Sequence, residues 1–303
     1  MSLGGQEFTI THGDYTAVLT EIGGGIRQLR HGDRDLVLDY PAGTVRPRHR
    51  GVLLAPWPNR VVDGRYRFDG EDYQLDVNEP ARHHALHGLV TWQRFDLLGG
   101  DGSSVVLRHR IVPRPGYPFE VEVEVRYSLD DDGLTCAVAG HNIGVRRAPY
   151  GVSGHPYVVA PSPRVDGYLL QLPAEQVMDV TPDRLIPRGV SSASELDLDF
   201  RVTRELGPTE IDHAFTALVP DPDGTVRTRV LAEDGHGVMC SWDPDLLPWV
   251  QVHTADRPDR AFSRLGLALE PMTCPPDAFN SGTDLVVLEP GDTHRAWWRL
   301  TAL

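Results

Sequence analysis

Residues 119–129 read FEVEVEVRYSL, and this run narrows most sharply what the chain can fold into. Phe119, Val121, Val123, Val125, Tyr127 and Leu129 fall on one side, and Glu120, Glu122, Glu124, Arg126 and Ser128 on the other. A period of two over eleven residues belongs to an extended strand with one apolar and one polar face. A helix would scatter the same side chains around its circumference. Such alternation points to antiparallel sheet, because parallel strands are buried on both faces. The run ends at Asp130-Asp131-Asp132-Gly133, a turn signal, and Leu134 to Ile143 reads as its hairpin partner.

The same rhythm recurs. Asp63-Gly64 precedes RYRF and Asp69-Gly70 follows it. Gly100-Asp101-Gly102 separates FDLL from SVVLRHRIV, and Asp221-Pro222-Asp223-Gly224 separates FTALV from TVRTRVLAE. Pro290-Gly291-Asp292 separates DLVVL from HRAWWRLTAL. Gly and Pro make 55 of 303 residues (30 and 25), about 18% against a usual figure near 12%. That excess reads as hairpin punctuation. No amphipathic helix of twelve residues or more is present; short helical turns are expected around 81–87, 173–176 and 276–279. The fold class is all-β, a large antiparallel β-sandwich of about twenty strands. No fixed repeat supports a propeller or solenoid. No composition break divides the chain, so 1–303 reads as one domain, although about 150 residues per domain would suggest two.

Charge and cysteine usage exclude several classes. Lys and Arg number 29 against 43 Asp and Glu, a net charge of −14. An acidic surface repels phosphate backbones and anionic bilayers, so neither nucleic acid nor membrane is an expected partner. Cys136, Cys240 and Cys274 are far apart and odd in number, which fits free thiols in a reducing cytosol. No run approaches the roughly 20 apolar residues of a membrane span, and MSLGGQEFTI lacks the layout of a secretory signal. The expected location is cytoplasmic.

Five segments combine polar residues with Pro and Gly. In LLAPWPNRVVDGRYRFDG, 53–70, the Pro-Trp-Pro stretch stiffens the backbone before Asn59 and Arg60, which suits Arg60 as a bidentate donor to ligand oxygens. RHHALHGLV, 82–90, holds three histidines, but no nearby carboxylate or thiol completes a metal set. A single functional His87 beside Gly88 is the better reading, with no metal. In GVSGHPYVV, 151–159, His155 is held by Pro156 and flanked by Tyr157; an unperturbed pKa of about 6.5 suits a general acid. In EIDHAFTAL, 210–218, Asp212 fits three readings: a sugar-hydroxyl acceptor, an orienter of a His, or a loop end. In LGLALEPMTCPPDAFN, 265–280, an apolar strand runs into Glu270 and Pro271 stops it, and a carboxylate placed so tends to a raised pKa and general-base work. No GxSxG elbow, P-loop or GxGxxG unit is present.

In this order the segments resemble the aldose 1-epimerase (galactose mutarotase) family, from about residue 8 to 301. The carriers are PNR at 58–60, LHG at 86–88, GHPY at 154–157, DHAF at 212–215, PWVQVHT at 248–254 and LEP with PPDAFNSG at 269–282. The resemblance implies a galactose mutarotase-like supersandwich with the sugar in an open cleft. It implies Glu270 as general base and His155 as general acid. Arg60, His87, Asp212 and Asn59 are implied as substrate-binding, with no cofactor and no metal. The implied reaction interconverts the α and β anomers of an aldose, so the partner is a small-molecule sugar. The sequence departs from the family pattern at Leu89, Val158 and His253, which unsettles the identity of the sugar. Two alternatives remain beside this one. A sugar-phosphate 1-epimerase, acting for example on glucose 6-phosphate, would draw on Arg46, Arg48, Arg50 or Arg82, and a non-catalytic carbohydrate-binding module would bind without turnover. A glycoside hydrolase would need paired carboxylates such as Asp212 and Glu270, and a histidine acid fits that poorly.

Overall fold

The structure is a computed structural model that describes residues 3–303. Among these residues there are 27 strands, one α-helix and two 3-10 turns. The long alternating run forms the strand Val121–Asp130, and Gly133–Asn142 returns beside it as an antiparallel hairpin. Val121, Val123, Val125, Tyr127 and Leu129 are buried, while their glutamate neighbours stay half-exposed.

Two large antiparallel sheets dominate. The first has nine strands, with Val121–Asp130 and Gly133–Asn142 followed by Thr293–Ala302, Gly237–Trp242 and Val226–Leu231. The second has eight, and its centre runs Ala174–Val180, Asp212–Leu218, Trp249–His253, Leu267–Met272 and Ser153–Gly154. Smaller ladders flank them, including a four-stranded sheet from Glu7 to Asp35. One contiguous apolar cluster joins both sheets, from Tyr127, Trp242 and Trp298 on the first to Val250, Val252, Leu267 and Leu269 on the second. Gly154 lets the layers meet closely, since a Cβ there would stand 2.5 Å from the Trp298 ring. No helix among the described residues is long and apolar enough to cross a membrane.

Several local expectations are corrected. Arg65–Phe68 with Glu71–Gln74, and Asp96–Gly100 with Ser104–Ile111, are hairpins as read. The turn at 221–224 is not a hairpin turn, because Asp212–Leu218 lies in the eight-stranded sheet and Val226–Leu231 in the nine-stranded one. Val286–Leu288 likewise pairs with Ala148–Tyr150 rather than with Thr293–Ala302. Turn chemistry reverses the chain but does not choose the strand that receives it. The turn expected at 173–176 lies at the start of the strand Ala174–Val180, where pairing to Asp212–Leu218 prevails. A turn does occupy 81–83, but His84–Leu86 is a strand; the only α-helix among the described residues is Ala278–Ser281.

The four-stranded sheet is tied to the main core through Tyr127, whose hydroxyl donates to the Gly24 carbonyl at 2.6 Å in a buried position. Gly24 adopts φ +52° against the Phe95 ring, which explains the glycine-rich EIGGGIRQL. Tyr127→Phe should therefore lose about 1–3 kcal/mol, the cost of a buried unpaired acceptor. Urea unfolding should show a lower midpoint with an unchanged m-value.

Candidate active site

One face of the eight-stranded sheet belongs to the core and the other to an open cleft. The register explains how. Asp212 pairs with His253, His253 with Ala268, and Ala268 with Tyr157. One row along, Ala214 pairs with Gln251 and Gln251 with Glu270. Side chains two apart on a strand share a face. Asp212, Gln251, His253, Glu270 and Tyr157 therefore project together, while Val250, Val252, Leu267 and Leu269 turn into the core. Glu270 sits within its strand, not at its end. Pro271 does not stop it, because a strand tolerates proline where the ladder does not need its missing N–H, and the Pro271 carbonyl accepts from Ser153 Oγ at 2.7 Å.

His155 follows the strand Ser153–Gly154, pinned by its N–H to the Val52 carbonyl (2.9 Å) and by its own carbonyl to the Gly51 N–H (2.8 Å). Its Nε2 lies 3.3 Å from Glu270 Oε1, and the two residues are only 4% and 1% exposed. Burial pushes the Glu270 carboxyl well above its usual range, with the Asp212 charge adding and Arg60 opposing. Burial pushes His155 well below 6.5, with His49 and His253 adding. The plain reading of an unperturbed His155 is thus corrected: the pair resists net charge of either sign and together holds one proton.

Arg60 and His87 come from a separate two-stranded ladder, Arg60–Val62 with His84–Leu86. The chain enters and leaves it through left-handed residues, Asn59 at φ +53° and His87 at φ +64°, joined by a bond from the His87 N–H to the Asn59 carbonyl at 2.8 Å. Gly88 is obligatory next to them, because a Cβ there would lie 2.1 Å from the Ala55 carbonyl oxygen. Arg60 is fixed less by Pro-Trp-Pro than by a carboxylate the sequence reading missed. Its Nε and one terminal nitrogen donate to Glu79 at 2.8 and 3.1 Å. Asn59 Oδ1 takes a third donor at 3.2 Å, and Asp212 lies 3.6 Å away. Burial opposes the charge on Asp212, but His253, Arg60, Arg82 and a hydrogen bond from Gln251 (2.7 Å) hold its pKa below the ordinary value.

All six residues singled out from the sequence, Asn59, Arg60, His87, His155, Asp212 and Glu270, thus line one cleft of about 740 Å³. That is within the range of ligand pockets, roughly 300–1,000 Å³. Seven buried polar atoms around it have no hydrogen-bond partner: His49 Nδ1, Arg82 Nε, His87 Nδ1, His155 Nδ1, Gln251 Oε1, His253 Nδ1 and Glu270 Oε2. Buried polar groups are rarely left so, and a concentration of them marks a place for a polar ligand. The other histidines of RHHALHG disperse. His84 is buried against the Arg184 carbonyl and the Asp63 N–H, and His83 faces Asp63. Among the described residues no group of three His, Cys, Asp or Glu is arranged to hold a metal ion.

Of the three departures, only His253 faces the cleft; Leu89 and Val158 pack on the core. His253 and Gln251 could have been read as cleft residues from the alternation in PWVQVHT, where polar side chains at 251 and 253 interrupt a Val-rich strand. His49 lies with its ring 4.7 Å from that of His87 and carried no signal in the sequence.

A carboxylate–histidine pair in a polar cleft on a large antiparallel sandwich defines the class, the galactose mutarotase-like fold. The family model for aldose 1-epimerase matches residues 6–301, and the chain belongs to that family. The uncharacterised protein YihR of Escherichia coli K12 is 37% identical over 301 residues, covering 99% of this chain and 94% of that one. Galactose mutarotase of Bos taurus is 24% identical over 310 residues, covering 91% and 86%. The crystal structure of an aldose epimerase homologue from C. elegans superimposes with a TM-score of 0.84 at 20% identity, covering 98% of both chains.

Proposed function

We propose that the protein is an aldose 1-epimerase that interconverts the α and β anomers of a sugar by opening and reclosing its ring. The observation that carries the reading is the buried contact of Glu270 with His155, set among unpaired polar atoms on one sheet face. In the reactive state Glu270 is the carboxylate and His155 the imidazolium. Glu270 takes the proton of the C1 hydroxyl while His155 gives its proton to the ring oxygen. The C1–O5 bond breaks and a C1 aldehyde forms. Rotation about C1–C2 exposes the other face of the carbonyl. The ring oxygen then attacks and returns its proton to His155, and Glu270 returns its proton to O1. The pair carries one proton at every stage, so no outside acid or base is consumed. Both reacting oxygens are bonded to C1, which suits two groups held as close as these. Arg60, beside Glu270, and His87 stabilise charge on the sugar oxygens as it develops.

The test is polarimetry on fresh α-D-glucose and α-D-galactose, with the spontaneous rate subtracted. Acceleration supports the reading, and sugar binding without acceleration would turn it into a non-catalytic module. The burial of the pair also sets the pH profile. Falling pH adds a second proton and removes the base; rising pH takes the single proton and removes the acid. Burial moves the first event below ordinary histidine and the second above ordinary carboxylate. The profile of kcat/KM should therefore have its acid limb below the ordinary histidine value and its alkaline limb above the ordinary carboxylate range, falling about tenfold per unit beyond each. An acid limb centred at about 6.5, the value of a free histidine, would contradict it.

A further inference from the structure

The cleft continues past the reacting pair to a wall formed by Arg48 and Arg257, which also line a neighbouring cavity of about 390 Å³. Among the described residues neither guanidinium forms an ion pair with a carboxylate, although the chain carries a net charge of −14. Arg257 contacts the Asp256 carbonyl (3.2 Å), His253 Nε2 (3.4 Å) and the Tyr157 side chain, and the Asp212 charge acts on it without an ion-pair contact. The carboxylates nearby are committed elsewhere. Asp256 pairs with Arg264 at 2.8 Å and accepts the Thr254 hydroxyl, and Asp259 accepts from the Ala261 N–H at 2.9 Å. Other arginines near the motifs are also committed: Arg82 pairs with Glu79, and Arg50 donates to the Asp39 carbonyl. Arg257 has its pKa lowered by burial first and then by the like charge of Arg48.

The position of Arg48 is built, not incidental. Its backbone is left-handed at φ +54°, a conformation that persists in a non-glycine residue only when the surroundings impose it. Arg46, itself 5% exposed, supplies that support: it donates to the Arg48 carbonyl at 2.8 Å and to the Thr91 carbonyl at 2.6 Å. A buried arginine is thus used to present an unpaired one.

The wall stands on the acid's side of the site. The Tyr157 ring stacks on His155 with centroids 5.1 Å apart, and Tyr157 lines both cavities. Glu79 and Asp212, with Arg60 between them, hold the negative charge of the cleft, and His253 stands between Asp212 (3.8 Å) and Arg257 (3.4 Å). With His155 at the ring oxygen, C5 is bonded to that oxygen and the exocyclic C6 is one bond further. A substituent on C6 then leaves the ring past Tyr157, toward the arginines.

We propose that the preferred substrate is an aldose carrying an oxyanion on its exocyclic carbon (phosphate, sulfonate or carboxylate) clasped between Arg48 and Arg257. This rests on the mutarotase reading given above. Two guanidiniums lining the same wall, neither of them in an ion pair, are suited to a bidentate, charge-assisted grip on such a group.

The experiment compares anomer exchange, followed by NMR, for D-glucose, glucose 6-phosphate, glucuronate and a glucose 6-sulfonate. Binding of each sugar to Glu270→Gln is titrated in parallel. At least one anionic sugar should exceed glucose in kcat/KM by about 10- to 100-fold, as one or two charge-assisted contacts allow. Arg48→Gln and Arg257→Gln should each collapse that preference, chiefly through KM, and the arm that responds identifies the oxyanion. If glucose is accelerated as well as every anionic sugar, or if neither variant changes the preference, the anion site is overturned and the mutarotase reading stands. If no sugar is accelerated yet an anionic one binds in an Arg48- and Arg257-dependent way, the reaction is overturned and the anion site stands. If the anionic sugars neither react nor bind better than glucose, the anion site is overturned.

Discussion

Replacing Glu270 with Gln should lower kcat/KM for anomer interconversion by about 10²- to 10⁴-fold, the usual contribution of one acid–base group, while the protein stays folded. The side chain is 1% exposed and fully surrounded, so an isosteric amide fits the same space. Burial already pushes this carboxyl toward its neutral form. A neutral amide therefore avoids a desolvation cost that the carboxylate bears, and Tm should hold or rise. Loss of activity with retained Tm separates chemistry from packing. His155→Asn should give a similar loss, and the double variant should be little worse than either single one, because the pair moves one proton between two groups. A Glu270→Gln rate within tenfold of the parent would remove Glu270 from the chemistry.

Much of the fold and part of the site were legible in the sequence, and particular residues show why the rest was not. The eleven-residue alternation around Val125 gave a strand, its buried face and its hairpin partner, because periodicity and turn residues are local signals. The sheet switch at 221–224 was hidden, since Asp-Pro-Asp-Gly permits a reversal into either layer. The six motif residues converge on one cleft, yet their spacing carried no distances; the resemblance to a family put them in one order. Glu79 was missed because its role depends on Arg60, nineteen positions earlier in the partner strand, while Glu79 itself lies in the loop before His84–Leu86. Arg257 was missed for a related reason. Its meaning lies in having no carboxylate paired with it, and pairing is a property of the folded chain. Arg46 and Arg50 looked equivalent to Arg48 in RPRHR, but the fold turns one inward as a strut, ties the second to a carbonyl and leaves the third unpaired.

Arg60→Met should cost about 3–5 kcal/mol of stability, the range for removing one partner of a buried ion pair. The guanidinium and the Glu79 carboxylate are 10% and 12% exposed and share two hydrogen bonds. Without Arg60, Glu79 keeps only Arg82 at 3.1 Å, and Asp212 loses a cation 3.6 Å away. Both carboxylates would then take up protons more readily, so the loss should grow as pH rises and shrink in acid: each group's pKa is held down in the parent by the charge being removed. Urea midpoints at two pH values measure this. Adding Glu79→Gln should restore much of the stability, because it removes the stranded charge. It should not restore kcat/KM, because the donor beside Glu270 is still missing. Recovery of activity along with stability would mean that Arg60 only holds the loop, and that the developing charge on the sugar is met by His87 and the remaining groups of the cleft.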